Sequence, residues 1–236
     1  MGYVAAMHGS PQSPPAAWER YAWAAGIVFV LALLAESVVA TGIGLTHQES
    51  ATAIGTGLHA HEQRMIAIAC ISIVYAVAFV VYLWKLHLLL RGDPALPNDL
   101  SVLVLVGGVL FVTLHAVSDI GITGMMGARV ASYSAAHDQG LSFSLYYLTY
   151  ALDSVADVFG SLAFLAAGLS ILRAGELSRR PGWVAIATAP FLLLQGFGLG
   201  GVIATFGLAL DLVGFLLLLV FVVWTSLAGY RLASSR

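Results

Sequence analysis

Six stretches of this chain each run for more than 20 residues with few charged side chains: Tyr21 to Gly44, Met65 to Leu90, Leu100 to Met126, Phe143 to Leu172, Trp183 to Ala204 and Phe206 to Tyr230. A helix rises about 1.5 Å per residue and a bilayer core is about 30 Å thick, so roughly 20 apolar residues suffice to span it. Backbone polar groups in lipid must be satisfied within the segment, which makes apolar runs of this length helices. The chain is 60% hydrophobic and only 9% charged. A soluble domain is about 45–50% apolar and about 25% charged. These proportions exclude an ordinary soluble enzyme, a disordered protein and a nucleic-acid binder, and the net charge of −2 gives no basic footprint for a polyanion. The lone Cys70 excludes an internal disulfide and a cysteine metal cluster.

The expected fold is therefore an all-α, polytopic transmembrane bundle of six spans. Breakers separate them: Arg91-Gly92-Asp93-Pro94 and Leu96-Pro97-Asn98 between spans two and three, Arg179-Arg180-Pro181-Gly182 between four and five. Gly196, Gly198, Gly200 and Gly201 blur the boundary between five and six, which also reads as one tight helical hairpin. Residues 1–17 carry no charged side chain and several Pro, Ser and Gly, and read as a disordered tail preceding a single domain over 18–236. The first span lacks the basic flank and cleavage site of a removable signal, and no internal repeat emerges.

Orientation follows from Lys and Arg placement. With both termini in the cytoplasm, Arg20, Lys85, Arg91, Arg173, Arg179, Arg180, Arg231 and Arg236 lie inside, and only Arg64 and Arg129 outside. The expected location is the inner (plasma) membrane of a bacterium, with the lipid bilayer as the principal partner. Trp18, Trp23, Trp84, Trp183 and Tyr230 fall near span ends, as interfacial anchors do.

Six ionisable residues break the apolar runs: Glu36 in span one, His115 and Asp119 in span three, Asp153 and Asp157 in span four, and Asp211 in span six. Each costs roughly 2.5–3.5 kcal/mol at the membrane centre, which makes it a functional candidate. All six map to the middle or outer half of the membrane. His115 and Asp119, and likewise Asp153 and Asp157, are four apart and share a helix face. Two facing carboxylates require a shared proton or a cation between them. The bland alternative is interhelical glue, with Thr113, Ser118, Thr149, Ser154, Ser161 and Gln195 available as partners.

The outer loops add His47, Glu49, His59, His61, Glu62 and His137. Imidazole and carboxylate bind zinc, copper or nickel, so His59, His61, His115 and Asp119 form a candidate set for a divalent metal ion. His59-Ala60-His61 aims both rings one way only if the segment is extended; on a helix they diverge by about 200°. Solvated histidines that respond to pH are the simpler reading. Met125-Met126 offers soft ligands but also plain packing. His115 is the only deep histidine, which argues against haem. Gly107, Gly108, Gly121, Gly124 and Gly127 suggest close helix packing in span three, and His87 beside Lys85 reads as a snorkelling interfacial residue.

Leu152-Asp153-Ser154-Val155-Ala156-Asp157 looks like the end of the CDP-alcohol phosphotransferase signature. Ala135-Ala136, Gln139-Gly140 and Thr149 stand where that family has Asp-Gly, Ala-Arg and Gly, so the likeness ends there. A longer pattern combines Ala24-Ala25-Gly26 in span one, Arg64 opening span two, Leu172-Arg173 closing a long span four, and Leu177-Ser178-Arg179-Arg180-Pro181-Gly182-Trp183 before the last hairpin. It resembles a bacterial family of six-span inner-membrane proteins of unknown function. That resemblance implies the six-span fold and no activity.

Three functional classes stay open on the sequence alone. One is an outward-facing acidic cavity that binds or transports a cation, proton or small solute. The second is an intramembrane enzyme acting on a lipid or isoprenoid by acid/base or metal-assisted chemistry. The third is a non-catalytic accessory or regulatory subunit, for which an oligomer or protein partner is compatible with the sequence.

Overall fold

A computed structural model describes residues 18–41, 43, 50–92, 98–126, 129, 139–197 and 204–235. The tail 1–17, His47, Glu49, Gly127 and His137 lie outside the described residues, as do the side chains of Met125, Met126 and Asp211. All secondary structure described is helical: α1 (Trp18–Ala40), α2 (Ala51–Ala60), α3 (Glu62–Arg91), α4 (Leu100–Ala116), a π-helical segment (Val117–Met126), α5 (Gln139–Ala174), α6 (Arg179–Gly196) and α7 (Ala204–Ser235). Five helices are long and apolar enough to cross a membrane, within α1, α3, α4 with the start of the π segment, α5 and α7. The protein is a multi-pass helical membrane protein. The sixth expected span, α6, has 18 residues but opens on Arg179-Arg180 and contains Pro190 and Gln195, which lowers its apolarity.

The six long helices form a closed ring in chain order, and α7 returns to pack on α1. Every neighbouring pair is antiparallel. Trp23 meets Tyr82 while Phe29 meets Phe79 and Tyr75, so α1 and α3 run in opposite directions. Gly108 lies against Leu83 and Gly124 against Ala69, which orders α3 with α4 in the same way. Gly160 faces Phe111 and Gly107 faces Ala163; Gly168 meets Gly182 and Gly196 meets Ser154; Gly26 meets Ser226 and Gly229 meets Trp23. A Cβ on Gly168 would sit 2.6 Å from the Gly182 carbonyl oxygen, so α5 and α6 approach backbone to backbone. Small residues give this closeness in membranes, where packing rather than apolar burial joins helices. Gly107, Gly108 and Gly124 pack closely as expected, whereas Gly121 has open space around it.

One half of the ring is filled by aromatic side chains. Phe29 stacks on Phe79 at 4.3 Å, Phe79 lies 5.7 Å from Tyr82, and Phe164 lies 5.2 Å from Phe221. The void among Phe79, Tyr82, Phe164 and Phe221 measures about 10 Å³, which is at the lower limit for one water. Three anchors behave differently from expectation. Trp23 is buried, Lys85 is buried with its Nζ 3.9 Å over the Trp18 ring, and His87 is buried with Nδ1 2.9 Å from the Ser101 carbonyl oxygen. His87 thus ties α3 to the start of α4 instead of snorkelling. Trp18, Trp84, Trp183 and Tyr230 remain exposed on the ring exterior.

The segment between α1 and α3 contains a short helix, α2. Ser50 caps it by accepting from the Ala53 amide at 3.2 Å. Ile54 and Leu58 of α2 pack with Met65, Ile68, Phe143 and Tyr146, laying α2 across α3 and α5.

Candidate functional site

The other half of the ring encloses a cavity of about 320 Å³. Its wall draws on all six long helices: Phe29, Leu33 and Glu36 from α1, Tyr75 from α3, Phe111, Val112 and His115 from α4, Asp119 from the π segment, Asp153 and Asp157 from α5, Leu192 and Gln195 from α6, and Phe215 and Leu218 from α7. Five of the six ionisable candidates from the sequence meet here. For Asp211 only its place on α7 is described, near the end of that helix that lines the cavity.

His115 occupies the space between the two aspartates of α5. Its Nδ1 lies 3.0 Å from Asp153 Oδ1 and its Nε2 lies 3.4 Å from Asp157 Oδ1. The i, i+4 spacing of the aspartates turns both carboxylates toward α4, where one ring can address them together. Where a shared proton or a cation was expected between the two carboxylates, an imidazole from the neighbouring helix stands. The Phe111 ring packs edge-on against His115, with centroids 4.8 Å apart, and fixes its plane.

A second group lies opposite. Asp119 Oδ2 accepts from the Tyr75 hydroxyl at 2.6 Å and from Ser72 Oγ at 3.2 Å. Glu36 lines the same cavity as Asp119, and its Oε2 is buried with no hydrogen-bond partner among the described residues. Two carboxyl groups lining one cavity in an apolar ring repel unless a proton or a cation lies between them. The π segment begins just before Asp119. Departures into π geometry recur at functional sites. Here it holds Asp119 toward α3 while His115, one turn earlier, points to α5.

Tyr75 and Ser72 were not singled out by sequence reading. Their three-residue spacing places both hydroxyls on one face of α3, and that was the available signal. Of the hydroxyls proposed as partners, Ser118 reaches the Thr149 carbonyl at 3.5 Å and Thr149 bonds its own helix at Tyr146, so these join helices without touching the acids. The candidate metal set is not assembled. His59 is exposed on the last turn of α2, His61 sits at the corner between α2 and α3, and neither lines the cavity that holds His115 and Asp119. The His59-Ala60-His61 segment is a helix end and not an extended strand, so its rings diverge. Among the described residues, no group of three or more His, Cys, Asp or Glu side chains is arranged to hold a metal ion.

The arrangement offers two chemistries: proton exchange along short carboxyl, hydroxyl and imidazole contacts, and neutralisation of a cation by the surplus of carboxylates. The chain matches no protein-family model, no curated protein and no solved structure.

Proposed function

We propose that this protein is a six-span plasma-membrane carrier whose acidic cavity takes up a cation, including the proton, from the outer face. One observation carries the reading: Glu36, His115, Asp119, Asp153 and Asp157, on three different helices plus the π segment, line one cavity inside an otherwise apolar ring. Four carboxyl groups against one imidazole leave a deficit of positive charge. Even with His115 protonated and one proton shared by Glu36 and Asp119, two negative charges remain unbalanced. Partly buried charge inside an apolar ring is costly unless compensated, so a cation or further protons belong to the working state.

Eight of the ten Lys and Arg fall in the sequence toward the segment ends on the sealed side, which supports an orientation in which the cavity opens outward. The antiparallel ring supports six crossings with both termini on the cytoplasmic side. The aromatic seal around Phe79, Tyr82 and Phe221 supports a cycle in which passage requires the ring to rearrange, as in alternating access. Reconstitution into liposomes under a cation or proton gradient tests this reading. Flux is expected in the parent protein and at least a tenfold loss in the Asp153→Asn/Asp157→Asn double variant. Equal flux in the two proteins removes the proposal.

A further inference from the structure

The walls of the cavity specify more than charge. A metal ion or hydronium would occupy a small fraction of about 320 Å³. At about 30 Å³ per water, the remainder would hold on the order of ten waters against phenyl and leucyl surface. Small-molecule sites begin at about this size and combine mostly apolar walls with a few convergent polar groups. Phe29, Phe111 and Phe215 line the cavity from α1, α4 and α7, and Glu36 and Asp119 form its acidic edge. Aromatic faces attract a desolvated cation by about 0.5–2 kcal/mol each, more so for a poorly hydrated one.

We infer that the cation bound in this cavity is a monovalent organic ammonium ion of about ten non-hydrogen atoms, with its charged nitrogen beside Glu36 and Asp119 and its apolar groups against Phe29, Phe111 and Phe215. The inference rests on the carrier reading and narrows it to a substrate class. The buried Oε2 of Glu36, which no described residue bonds, can face the positive charge directly, whereas one oxygen of Asp119 is held by Tyr75 and Ser72 and one oxygen of each α5 aspartate lies against His115. An ammonium bearing alkyl groups matches both halves of the wall. A hydrated inorganic cation matches only the acidic half.

Isothermal titration of the purified full chain in detergent at pH 7 tests this, with tetraethylammonium chloride as the probe. The controls are sodium chloride at equal ionic strength and 3-ethyl-3-pentanol, a neutral molecule of related shape. Tetraethylammonium is expected to bind with a Kd of about 1 mM or below and the neutral alcohol at least tenfold more weakly, which corresponds to about 1.4 kcal/mol of charge recognition. Glu36→Gln is expected to weaken binding at least tenfold and Phe111→Leu by about 3–30-fold. If Glu36→Gln fails to fold, the comparison of the charged and neutral probes on the parent protein decides the matter alone. Equal affinity for both probes, or no binding of tetraethylammonium, overturns the inference. In that case flux of protons or sodium that still depends on Asp153 and Asp157 leaves the carrier reading standing, and loss of both results removes the two together.

Discussion

Replacing His115 by Leu removes the one group that separates Asp153 from Asp157. In the folded ring its nitrogens lie 3.0 Å and 3.4 Å from the two carboxylates. Polar contacts between membrane helices average about 0.6 kcal/mol and reach about 1.7 kcal/mol, so two of them give about 1–3 kcal/mol. Loss of the ring also leaves like charges at i, i+4 on α5, which adds a few tenths of a kcal/mol. For a chain of this length each kcal/mol shifts Tm by about 2–4 °C, giving a fall of about 3–13 °C in a thermal unfolding measurement in detergent. A double-mutant cycle with Asp153→Ala isolates the pair and is expected to return a coupling of about 0.6–1.7 kcal/mol. Additive single effects within about 0.3 kcal/mol, with the Tm of His115→Leu within about 1 °C of the parent, would show that the two side chains do not meet and would refute the site as described.

Two further outcomes are expected. Gly168→Leu should lower the yield of monodisperse protein and its Tm by an amount equivalent to about 1–3 kcal/mol, because a Cβ there already crowds the Gly182 carbonyl, whereas Gly121→Ala should be neutral because its surroundings are open; size-exclusion profiles and thermal scans distinguish them. Reporter fusions that fluoresce only in the cytoplasm should be active at both termini, and a signal at one terminus alone would remove the even number of crossings.

Much of the ring was legible in the sequence because lipid imposes a coarse rule on it. Of the six runs, five match the membrane-length helices α1, α3, α4, α5 and α7 to within several residues, and the breakers at Arg91-Gly92 and Arg179-Arg180 fall at helix boundaries. Most of the site was legible for the same reason: an Asp or Glu in an apolar helix is conspicuous. Hydroxyls are not, since Ser72 and Tyr75 fit an apolar helix without penalty, and only the three-dimensional contact with Asp119 gives them a role. Nor does residue spacing tell which neighbour a shared face will meet. The Asp153 and Asp157 pair called for a counter-group, and the ring order of the helices decided that it would be His115. Trp23 and His87 were misplaced because proximity to a span end does not distinguish the lipid-facing side from the side turned toward the next helix. The short helix α2 escaped notice because ten residues give too few turns for a periodic pattern to stand out.

The ring is built almost wholly from contacts between successive helices, with the α1 and α7 pairing as the long-range exception. During synthesis, then, the wall that α7 completes stays unfinished until α7 leaves the insertion machinery. Before that moment the acidic residues already inserted have an open flank, facing lipid, water or an assisting protein. Biogenesis and binding thereby share one event: the closure that secures the bundle is the same closure that creates the chamber.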